Sequence, residues 1–73
     1  MIDGFDVLKK CRKVAQPQVF IPHNYSLYEN EDMVYVLHKM CLIASFKSTD
    51  QKAVSKIKRA IYRHQCYQHR QHI

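Results

Sequence analysis

Four side chains near the C-terminal end, His64, Cys66, His69 and His72, are of the types that ligate zinc. Zinc sites usually pair ligands from two separated segments, and the spacing H-x-C-x2-H-x2-H matches none of the usual patterns. A His-rich, frayed end on a basic chain accounts for them without an ion, so they stand only as weak metal candidates and no cofactor is expected. His38 and Cys41, three residues apart, could make a thiol–imidazole pair. An apolar setting would raise that thiol's pKa and leave it inert. Gly4 is the only glycine, which leaves no Gly-rich loop for a phosphate, and most of the carboxylates cluster at expected helix starts, where the helix dipole explains them. The residues therefore predict a non-enzymatic protein with no small-molecule substrate.

The clearest polar pattern is cationic. Lys52, Lys56, Arg59 and Arg63 are spaced four, three and four, so on a helix they form one stripe. Lys58 and Tyr62 flank it. Cations displace counterions from a phosphate backbone and a ring can stack on a base, so the stripe suits a nucleic-acid backbone or an acidic protein surface. A second run, Lys9, Lys10, Arg12 and Lys13, is continuous and must wrap around its helix rather than face one ligand. The charge is uneven: residues 50–73 hold six of the twelve Lys and Arg against a single carboxylate, Asp50, in a chain of net charge +6. That asymmetry favours an acidic partner.

The elements that must position these groups read as three helices. Residues 5–15 place Val7, Leu8, Cys11, Val14 and Ala15 on one stripe, and Pro17 stops the run. The stretch 33–46, MVYVLHKMCLIASF, has large apolar residues at three-and-four spacing with further apolar groups on other sides. It predicts a buried central helix that begins near Ser26 or Asn30 and runs to about Lys47. Ser48-Thr-Asp-Gln51 has the spacing of a capping box for a third helix over about 50–66, whose core face holds Ala53, Val54, Ile57, Ala60, Ile61 and His64. The tail from residue 67 is expected to fray.

Between the first two helices, residues 17–25 form an irregular arm with prolines on both sides of Val19, Phe20 and Ile21. Phe20 and Ile21 either plug the core or, with Tyr25, anchor a partner. The expected architecture is all-α: one domain over 1–73, a small three-helix bundle with this arm. Tyr28 and Tyr35 are placed at the core edge.

Seventy-three residues bury little surface, so the stability margin is thin. Three cysteines are an odd number without regular spacing, which fits a reducing compartment. The start MIDGFDVLKK lacks the pattern of a signal peptide, and no stretch is long enough to span a bilayer. An intracellular protein that makes no membrane contact is the expectation. The order of second helix, short turn and basic third helix also allows an alternative, a helix-turn-helix-like nucleic-acid-binding domain. Its turn lacks glycine and its third helix lacks an Asn to read adenine, leaving Arg59 as the best base reader.

Taken together, the opening GFDVLKKCRK, the PQVFIP arm and the basic YRHQCYQHR end resemble the small RNA-polymerase-binding transcription inhibitor and antiterminator of lytic Xanthomonas phages. The likeness covers the whole chain in length, charge and helical character, and rests on no signature motif. It implies a regulator in the host cytoplasm that binds the largest polymerase subunits near the RNA exit channel. It also implies blocked initiation, and reduced termination with the elongation factor NusA as an auxiliary. On that reading Phe20, Ile21 and Tyr25 are the protein anchors. Lys52, Lys56, Arg59 and Arg63 would contact RNA, DNA backbone or an acidic surface.

Overall fold

The computed structural model describes residues 4–71. In chain order the elements are helix α1 (Gly4–Lys10), strands β1 (Arg12–Lys13), β2 (Tyr25–Glu29), β3 (Met33–His38) and β4 (Cys41–Lys47), and helix α2 (Ala53–Gln71). The strands form one antiparallel sheet in sequence order, β1-β2-β3-β4. The fold is thus of mixed α/β class and not the all-α bundle that the apolar periodicity predicts.

The stretch expected to be a central helix is the hairpin β3–β4. Its side chains alternate between two cores. Tyr35 and Leu37 face α1 and pack with Val7, while Val36 faces α2 and packs with Ile57, Ile61, Leu27 and Val19. A strand covered on both faces has no polar side, so its sequence reads as a continuous apolar run. Such a run cannot be told from a buried helix by periodicity alone. The residue types carry the better signal. Val34, Tyr35, Val36, Ile43 and Phe46 are β-branched or aromatic and fit a pleated surface.

The hairpin turn hides this signal. Lys39 and Met40 both have positive φ, 49° and 72°, as a two-residue turn between twisted strands requires. Asn-Gly is the usual pair there, and Lys-Met gives no warning of a reversal. One irregularity follows. Val36 pairs with Ala44 but Leu37 pairs with Leu42, so Ile43 is an extra residue on β4. This bulge turns both Ile43 and Ala44 toward the α2 core and Leu42 toward the α1 core.

The expected capping box at Ser26 is not formed, because Ser26 lies inside β2 opposite Leu37. Asn30 instead shapes the β2–β3 turn: its side-chain oxygen accepts from the backbone N–H of Asp32 and Met33 at 3.1 and 3.0 Å. These short local bonds are what Asn offers a turn. The first helix is shorter than expected. It ends at Lys10, and Arg12 and Lys13 pair as a strand with Glu29 and Tyr28.

The third helix forms where its periodicity puts it. Ile57 and Ile61 are buried, and Ala53, Val54, Ala60 and His64 are half-buried. Its cap is Asp50 rather than Ser48, with the Asp50 carboxylate accepting from the Lys52 backbone N–H at 2.8 Å. The helix continues through 67–71, part of the tail expected to fray. Because the element before α2 is a strand, the helix-turn-helix order is absent. No helix among the described residues is long and apolar enough to cross a membrane.

Candidate cationic face and the site residues

Helix α2 lies on one face of the sheet through Val54, Ile57 and Ile61, so its opposite side looks outward. Lys56, Arg59 and Arg63 are exposed along that side, and exposed Lys52 stands just before the helix start. The four-three-four spacing therefore yields one continuous cationic face, about 140° around the helix from the buried stripe. The Lys56 ammonium is held by Asp50, with Nζ 2.5 Å from the carboxylate. That contact and the Lys52 backbone N–H keep the Asp50 carboxyl below its ordinary value. Tyr62 and Tyr67 stand out from the same helix at 67% and 61% exposure. A hydrogen bond with Cys66 raises the Tyr62 pKa.

Helix α1 lies on the other face of the sheet, so Lys9 and Lys10 do not extend this surface. Arg12 and Lys13 are exposed on the β1 edge, where Arg12 sits 3.5 Å from Glu29. The cations at the β1 edge are thus separate from those of α2, and among the described residues the exposed tyrosines, Tyr62 and Tyr67, are on α2.

The three anchor candidates part company. In the arm Val19 is buried, Phe20 is 86% exposed and Ile21 is half-buried against the α2 core. Phe20 is thus the most exposed large apolar side chain among the described residues, while Ile21 belongs to the packing. Tyr25 turns inward at the start of β2. Its hydroxyl lies 2.7 Å from His64 Nδ1, and its ring meets His38 at 4.5 Å and His64 at 5.6 Å between centroids. His38 and His64 are themselves 4.6 Å apart. Tyr25 is therefore a structural tie between sheet and helix and is not an exposed anchor.

This three-ring cluster has no motif in the sequence. Its one trace is that His64 falls on the core side of α2 and His38 falls inside the apolar run. His38 is buried, and desolvation, then the neighbouring His64 and Lys39, hold its pKa below the ordinary value. Burial raises the Tyr25 pKa. Tyr28 packs half-buried against the α1 core, and Tyr35 is buried within it.

Of the four weak metal candidates, His64 and Cys66 lie within the described residues with their side chains. His64 points to the sheet, Cys66 is exposed and bonded to Tyr62, and His72 lies outside the described residues, as does the side chain of His69. Among the described residues no three or more His, Cys, Asp or Glu side chains gather as metal ligands would. Cys41 is exposed on β4 and not in the apolar setting expected of it, whereas Cys11 packs at the α1 core. A groove of about 380 Å³ opens beside the start of α2 over Val19, Leu27, Val34 and Ile57. The two carboxylates at its rim, Glu29 and Asp50, already face Arg12 and Lys56.

Fold and surface define a small mixed α/β domain whose outward chemistry is a cationic, tyrosine-bearing helix. Compared with protein-family models, with curated proteins and with solved structures, the chain finds no match.

Proposed function

We propose that the chain is a non-enzymatic transcription regulator that binds the host bacterial RNA polymerase in the host cytoplasm, inhibits initiation and promotes antitermination near the RNA exit channel. The observation that supports this reading is the exposed face of α2. There Arg59 and Arg63 share the outward side of the helix with Tyr62, and Lys52 stands just before its start. Arginine and tyrosine together are what protein interface centres are rich in. The same groups can meet phosphates by charge and bases by stacking. An RNA exit path offers both kinds of surface, an acidic protein wall and emerging RNA. Phe20, exposed on the arm, supplies an apolar contact. NusA is the expected auxiliary for the effect on termination.

The test is co-purification from host lysate on the immobilised chain after nuclease treatment, followed by mass spectrometry. The largest polymerase subunits should be retained. Reversing Arg59 and Arg63 to Glu should weaken both retention and the effect on transcription in a reconstituted assay, while the circular dichroism stays unchanged. Retention that vanishes with nuclease would replace this reading by simple nucleic-acid binding through the same helix.

A further inference from the structure

The two edges of the sheet are built differently. The β1 edge is two residues long, is occupied by Arg12 and Lys13, and is followed by Pro17. Short length, charge and proline are the means by which proteins stop an edge from pairing. The β4 edge has almost none of them. It is seven residues long, and positions 40–46, MCLIASF, contain no charge and no proline. Its one irregularity is the bulge at Ile43, which leaves 44–47 in regular register with β3.

Strand β4 is also underburied. Its sequence is as apolar as that of β3, yet Leu42, Ile43, Ala44 and Phe46 are only half-buried and none of its seven residues is buried. Its sole strand neighbour is β3. Among the described residues, no backbone hydrogen bond reaches Cys41–Phe46 from outside that ladder. Unpaired N–H and C=O groups in a row are matched by another extended backbone, and a helix cannot supply them.

Charge chooses between the possible strands. Lys39 and Lys47 stand exposed at the two ends of the edge, and residues 33–49 contain no carboxylate. A second copy of the chain would bring another net +6 to the same surface, which opposes pairing with itself. We propose that β4 is a docking edge that takes up an extended segment of a protein partner as a fifth strand, with carboxylates near both ends of that segment meeting Lys39 and Lys47. Seven residues in a strand span about 20 Å, which sets the separation of those carboxylates. The proposal goes beyond the regulator reading and does not need the polymerase to be the protein that docks.

The probe is the peptide acetyl-EVTVTVE-amide, titrated to about 5 mM into the full 15N-labelled chain at low salt. Saturable shifts and slowed amide exchange should be confined to β4 and the Lys39–Met40 turn. The same peptide N-methylated at all five of its valine and threonine residues should bind at least about tenfold more weakly, because the central backbone donors on both of its edges are gone. The version with Gln in place of both Glu, and the wild-type peptide against Lys47→Glu, should each bind about threefold more weakly. The proposal is overturned by equal binding of the N-methylated peptide, by shifts on the α2 face instead, by no saturable shift, or by β4 protected through self-association without peptide. Polymerase retention reports separately: Lys47→Glu that loses the peptide but keeps polymerase leaves the regulator reading intact and removes β4 from that contact.

Discussion

Tyr25 and His64 are 39 residues apart in the chain, and the hydroxyl of one lies 2.7 Å from Nδ1 of the other. The pair ties the first residue of β2 to the fourth turn of α2. With Nδ1 unprotonated the phenol donates, and the bond holds the helix down beyond Ile61, where the aliphatic core gives way to rings. Tyr25→Phe removes one net hydrogen bond, worth about 1 kcal/mol, while keeping the ring. Urea unfolding should show a lower midpoint with an unchanged slope. An unchanged midpoint would mean that the two rings pack without the bond contributing.

His38 makes stability depend on pH. Its folded pKa is lowered, first by desolvation and then by His64 and Lys39. The unfolded chain therefore takes up the proton first. The neutral, folded form keeps its full contribution above the ordinary value of 6.5, and loses it as pH falls from there through the folded pKa. Unfolding midpoints should drop between pH 7.5 and pH 5, and His38→Phe should flatten that drop. A wild-type midpoint that is level over this window would sink the assignment.

Leu37 tests the second, smaller core. It is almost fully buried on the α1 side with Val7 and Tyr35. Leu37→Ala should destabilise by about 2–5 kcal/mol, the usual range for a buried leucine. Amide exchange should rise first in α1, since that face holds the helix to the sheet. If α2 loosened while α1 stayed protected, the assignment of faces along β3 would be wrong.

Met40 occupies a left-handed position, φ 72°, in the β3–β4 turn. A residue with a Cβ is strained there by about 1 kcal/mol, and glycine is not. Met40→Gly should raise the thermal midpoint and leave the sheet register as it is. A lower midpoint would show that the half-exposed Met40 side chain contributes more packing than the backbone loses in strain.

Helix α2 was legible in the sequence because it is amphipathic in the simple way: one side against the sheet, one side in water. The spacing of Ile57, Ile61 and His64 marks the first and that of Lys56, Arg59 and Arg63 the second. The cationic face could therefore be placed before any coordinates. Positive charge and the lack of a Gly-rich loop belong to the same local kind of information, whereas only the packing of Val19 and Ile21 decided that Phe20 points outward.

The class of the fold lay beyond local pattern. A strand buried on both sides and a helix buried all round present the same unbroken apolar run, and residues 33–46 fall in that overlap. Tertiary contacts resolve it: α1 and α2 cover opposite faces of β3, and a Lys39–Met40 reversal supplies the fourth strand. The ring cluster of Tyr25, His38 and His64 follows from the same assembly, since it exists only when β2, β3 and α2 are brought together. Periodicity along one segment determined which residues meet water. Which distant residues meet one another was set by the sheet, because strand pairing is a relation between segments and leaves little mark within any one of them.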